Sequence, residues 1–166
     1  AGWVLGTGLA LALAVPVPAW ADDTRTCDRS RPTLVNQEPA AFALLGIPGA
    51  WQLSTGTGVR VAIVDSGVDA ANQHLAGAVE EGKDFVGGST AGRTDLTGHG
   101  TAVAGLIAAR LVSGSGLQGV APDARIVPVR VYESEEDGRR HPDAAVTAEG
   151  IRWAARQPGV RIIVVP

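Results

Sequence analysis

The run VRVAIVDSGVD, residues 59–69, does most to limit the folds open to this chain. Its apolar positions are continuous and mostly β-branched instead of alternating with polar ones. A strand of that kind is buried on both faces, and sheets covered on both faces are built from parallel strands with helical crossovers. The run ends at Asp65-Ser66-Gly67, so Asp65 stands at the strand's carboxyl end, the edge where open α/β sheets bind their ligands. Later segments continue the pattern. HGTAVAGLIAARLV (99–112) carries Val103, Leu106, Ile107 and Leu111 on roughly one helix face and is stopped by SGSG at 113–116. ARIVPVRVY (124–132) reads as a second buried strand, AAVTAEGIRWAARQ (144–157) as a second helix and VRIIVVP (160–166) as a third strand. Strand, helix, strand, helix, strand predicts an α/β fold with a parallel sheet flanked by helices.

Charge and glycine placement exclude two alternatives. Fourteen Lys and Arg stand against 17 Asp and Glu, net −3, with no long basic run, so the electrostatic footprint of a nucleic-acid binder is absent. A dinucleotide-binding turn needs its glycines after the first strand. Here Gly56 and Gly58 precede it, and no G-x-G-x-x-G turn follows. No internal repeat is present.

The first 21 residues have a different character. WVLGTGLALALAVPVPAW (3–20) carries no charge, and the small-x-small triplet Ala19-Trp20-Ala21 precedes Asp22-Asp23. This predicts a secretory signal peptide over 1–21 whose start is missing, since no Met or basic region comes first. Pro16 and Pro18 interrupt the segment as a transmembrane helix. The expectation is an exported protein of the cell envelope or exterior. Residues 22–54 read as an N-terminal extension and 55–166 as the folded domain. Cys27 is the sole cysteine, so an internal disulfide is ruled out.

His99 lies between Gly98 and Gly100 at the predicted helix start. Taken alone, Asp65 has an ordinary reading as an Asx turn, and His99 as a hydrogen-bonded structural residue. Taken together, they have complementary chemistry above one sheet edge. A carboxylate on imidazole Nδ1 fixes the tautomer and leaves Nε2 free to take a proton from a nucleophile.

Four blocks, VAIVDSGVD, DLTGHGTAVAGLIAA, GVAPDARIVPVRVY and EGIRWAARQPGVRIIVV, resemble in order and spacing the first half of the subtilisin-like serine proteases, peptidase family S8. The match covers roughly residues 55–165. Within that family the approach AFALLGIPGAWQLSTGTGVRVAIVDSGVD and the cysteine-bearing extension are similar to the mycosins, membrane-anchored proteases of type VII secretion systems. The resemblance implies that Asp65 is the catalytic aspartate and His99 the catalytic histidine of a Ser-His-Asp endopeptidase. It also implies a protein or peptide substrate, no cofactor, association with a type VII secretion membrane complex, and a C-terminal anchoring helix beyond this chain. An alternative is an inactive relative serving as a structural partner of such a complex.

The chain departs from the family pattern in several places. The GTS-x-A-x-P serine motif and the oxyanion-hole asparagine are absent, and Ser113 and Ser115 lie in a Gly-Ser linker, so no catalytic serine is assigned and the 166 residues alone are expected to be inactive. Leu96 stands where mycosins place the partner of the extension's cysteine, which leaves Cys27 without its family partner. The third strand reads IIVVP where relatives continue into a polar Asn-x-Ser stretch, and substrate-binding residues are left unassigned. The loop LVSGSGLQ lacks the carboxylates and amides of a calcium site, so no metal is expected there. Finally, Glu133, Glu135, Glu136 and Asp137 follow the second strand, which by the resemblance borders the unprimed side of the cleft; they either favour basic substrate residues there or form an ordinary solvated charged loop.

Overall fold

The computed structural model describes residues 34–133 and 143–166. The signal-peptide segment, Cys27 and the acidic residues Glu135, Glu136 and Asp137 lie outside the described residues.

Among the described residues four parallel strands form one sheet: β1 (Arg60–Asp65), β2 (Lys83–Asp84), β3 (Arg125–Arg130) and β4 (Val160–Val164), in the order β2-β3-β1-β4. The register pairs Val61 with Ile126 and Asp65 with Arg130, so β1 and β3 end side by side. The continuous apolar run of β1 has a direct structural cause. Val61 and Ile63 enter a core with Val68, Leu75, Ala104, Ala108 and Ile126, while Ala62 and Val64 enter a second core with Val127, Val129, Val131 and Ala154. Alternate side chains thus point to opposite faces, and both faces are covered. Fully burying a side chain such as Ile63 is worth about 1.5–3 kcal/mol.

Pro128 lies in the middle of β3, where a ladder N–H is normally required. The amides of Arg125 and Val131 donate toward β1, to Val59 and Asp65, whereas Ile126 donates away from it, to Ala78. Alternation turns the Pro128 nitrogen to the second side. There β2 is two residues long and Gly82 packs its Cα against the Pro128 carbonyl, so the missing donor is tolerated.

Two helices cover the sheet, α3 (His99–Ala108) over the first core and α4 (Ala144–Ala155) over the second. Asp143 caps α4, its carboxylate accepting from the amides of Ala145 at 2.8 Å and Val146 at 3.0 Å. The sequence expectation for α3 is corrected in length and in face. The helix stops at Ala108 because the Arg110 amide turns to the carbonyl of His74 at 2.6 Å. Leu106 and Leu111 are 54% and 72% exposed, and the buried residues are Gly100, Ala104, Gly105 and Ala108, with Val103 and Ile107 packing beside them. Small residues let the helix axis lie close to the sheet, so the larger side chains fall outside the contact.

The extension also contains structure that its composition did not announce: α1 (Ala40–Leu44) and α2 (Ile47–Trp51). Phe42 and Trp51 clasp them edge to face, ring centroids 6.3 Å apart, and the Trp51 indole donates to the carbonyl of Val120 at 3.3 Å.

Candidate active site

Strand β1 delivers Asp65 to the sheet's carboxyl edge, where its side chain is 2% exposed. Helix α3 starts at the same place. Gly98, at φ +89°, adopts a left-handed conformation that turns the chain into the helix. Gly100 then permits close approach, since a Cβ there would overlap the carbonyl oxygen of Gly67 and press on Asp65.

The result is a direct contact between the two residues singled out in the sequence. His99 Nδ1 lies 2.8 Å from Asp65 Oδ2 and 2.9 Å from Oδ1. A carboxylate only accepts, so Nδ1 carries the proton and the neutral ring keeps its free lone pair on Nε2. The imidazole side chain is 52% exposed, so the ring has an open side while its partner is buried.

Three residues that the sequence reading missed hold this pair. The Ser66 amide donates to Asp65 Oδ1 at 2.6 Å. Its hydroxyl donates to Asp95 Oδ1 at 2.9 Å and accepts from the Gly100 amide at 3.1 Å. Asp95 organises the helix start that Gly98 cannot cap with a side chain. Its Oδ1 also accepts from the amides of Thr97 and Gly98 at 3.0 and 2.8 Å, and its Oδ2 from the Thr101 amide and hydroxyl at 2.9 and 2.6 Å. Two carboxylates thus meet the positive end of the helix dipole. The Asp-x-x-Gly spacing ahead of His99 was the available signal for Asp95. Tyr132 had none: it follows β3, and its hydroxyl donates to Asp65 Oδ1 at 3.1 Å. Burial, then the Asp65 charge and the hydrogen bond to it, push the Tyr132 phenol up to about 12.

Two other residues named in the sequence have different partners. Ser115 is buried and its hydroxyl accepts from the Leu117 amide in the turn after α3. Glu133 pairs with Arg130 at 3.0 Å, and Arg130 also holds Asp84 at 3.1 Å, so Glu133 is already engaged within the fold. Among the described residues no group of three or more His, Cys, Asp or Glu could hold a metal ion, and no helix is long and apolar enough to cross a membrane.

Comparison with known proteins places the chain in a family. Residues 56–165 match the family model of the subtilase family, peptidase S8. Thermitase of Thermoactinomyces vulgaris is 39% identical over 116 residues, covering 70% of this chain and 39% of thermitase. Mycosin-1 of Mycobacterium tuberculosis is 38% identical over 124 residues, covering 71% of this chain and 27% of Mycosin-1. The crystal structure of MycP1 from the ESX-1 type VII secretion system superposes with a TM-score of 0.64 at 28% identity, over 79% of this chain and 37% of that one. The chain therefore spans well under half the length of these three relatives.

Proposed function

The chain belongs to the subtilase family, is mycosin-like within it, and on that premise we propose that it carries the acid and base of a Ser-His-Asp endopeptidase. The observation that carries the proposal is the 2.8 Å contact between buried Asp65 and half-exposed His99. In this mechanism Asp65 orients the ring and stabilises the imidazolium. His99 Nε2 takes the proton of a serine hydroxyl as it attacks the scissile carbonyl, then returns it to the leaving amine. The mechanism also needs a serine nucleophile and oxyanion donors, which are not assigned among these 166 residues; we read 55–166 as the N-terminal half of a peptidase domain, 22–54 as an extension and 1–21 as a signal peptide. Likeness to Mycosin-1 and to MycP1 from a type VII secretion system supports a finer reading: an exported cell-envelope enzyme that acts on a protein substrate beside such a secretion complex.

The experiment compares the 166-residue chain with a protein that continues it through a serine motif of the family. The shorter chain should leave casein uncut and take up no fluorophosphonate. The longer one should be labelled on that serine, and His99→Ala should abolish the labelling. Labelling that survives His99→Ala would overturn the assignment of the base.

A further inference from the structure

We propose that Tyr132 is a positioning residue for the acid–base pair, its hydroxyl locking the plane of the Asp65 carboxylate so that both oxygens stay on His99 Nδ1; this rests on the reading of Asp65 and His99 given above. The two carboxylate oxygens are held differently. Oδ1 receives the Ser66 amide at 2.6 Å and the Tyr132 hydroxyl at 3.1 Å in addition to its 2.9 Å contact with His99 Nδ1, whereas Oδ2 meets Nδ1 at 2.8 Å.

The terminal torsion of an aspartate is broad and roughly two-fold. With one anchor on Oδ1, from the neighbouring residue of the same strand end, the group can still pivot about that bond. A second donor arriving from the segment that follows β3 removes the freedom. Tyr132 suits that task because its ring packs against the core of Val64, Val129 and Val131, which fixes the hydroxyl before any substrate arrives. Two neighbouring charged side chains make their hydrogen bonds and ion pairs with other groups. Asp95 is occupied by Ser66, Thr101 and the loop amides, and Arg130 by Asp84 and Glu133. The raised phenol agrees with a hydroxyl that is kept protonated as a donor to an anion.

The test uses the 166-residue chain and nuclear magnetic resonance of the His99 Nδ1–H proton. In the wild type this proton should resonate far downfield and exchange slowly, and Asp65→Asn should remove the signal. Tyr132→Phe keeps the ring and its packing but lacks the donor, so it should leave the amide spectrum native while the Nδ1–H proton exchanges several-fold faster. A purely structural tyrosine would leave that exchange unchanged in Tyr132→Phe, which overturns the inference while the pair stands. A wild type lacking the downfield proton would instead overturn the reading of the pair. A second measurement spares the tyrosine. Tyr132 is the chain's sole tyrosine, so its phenol can be titrated alone. Its midpoint should fall from about 12 toward the ordinary 10 in Asp65→Asn, and an unchanged midpoint would count against the inference even if Tyr132→Phe fails to fold.

Discussion

The hydroxyl of Ser66 donates to the carboxylate of Asp95 at 2.9 Å, a bond that ties the end of β1 to the loop entering α3. Because the same hydroxyl accepts from the Gly100 amide, one serine fixes the strand end relative to the helix start. The spacing between Asp65 and His99 is therefore set by their sequence neighbours as well as by their own contact.

Asp95 should be a large contributor to stability for its size. Removing it strands the amides of Thr97, Gly98 and Thr101 and the hydroxyls of Ser66 and Thr101. Asp95→Ala should cost about 2–4 kcal/mol in urea unfolding, with Asp95→Asn intermediate because one carbonyl oxygen remains to accept. A cost under about 0.5 kcal/mol, the range of ordinary surface changes, would contradict this account.

Two glycines of α3 should respond with opposite signs. At Gly100 a methyl group would collide with backbone at Gly67, so Gly100→Ala should destabilise by about 1–3 kcal/mol and push His99 away from Asp65. At Gly105 nothing stands within 4 Å, and Gly105→Ala should stabilise by about 0.5–1 kcal/mol through helix propensity. Paired thermal unfolding curves check the signs, and destabilisation of similar size at both positions would refute the close-approach argument.

In a protein that also carries the serine, Asp65→Asn should keep the fold and lower turnover by about 10⁴, the loss known for the same change in a chymotrypsin-type triad. Active-site titration and thermal unfolding on one sample separate the alternatives. Lost stability with retained turnover would make Asp65 a structural residue.

Acid sensitivity should centre on Asp84. Burial alone would raise its carboxyl, but the Val86 amide, the Arg130 guanidinium and the Thr90 hydroxyl outweigh that and hold it below the ordinary 3.8. A carboxylate depressed in the fold stabilises it fully above its unfolded value, and this contribution disappears as pH falls below 3.8 through the depressed value. Unfolding free energy followed across that range should fall less steeply in Asp84→Asn than in the wild type. Parallel slopes would show that Asp84 is not the responsible group.

The sequence by itself determined the α/β grammar and the ends of its elements. A continuous β-branched run can only be satisfied between two covered faces, and Asp-Ser-Gly and Gly-His-Gly mark a strand end and a helix start within a few residues of chain. Asp65 and His99 could be singled out from such local signals. Tertiary structure alone decided that they touch across 34 residues, that Ser66 and Asp95 lock them together, and that the Tyr132 hydroxyl reaches Asp65 Oδ1 from beyond β3. It also decided that α3 buries Ala104 and Ala108 instead of Leu106 and Leu111, and that a two-residue β2 suffices beside Pro128. Periodicity reports which side chains prefer to leave water. How closely two elements approach, and which donors then find which acceptors, depends on contacts between residues far apart in the chain, each too weak to leave a mark on local sequence.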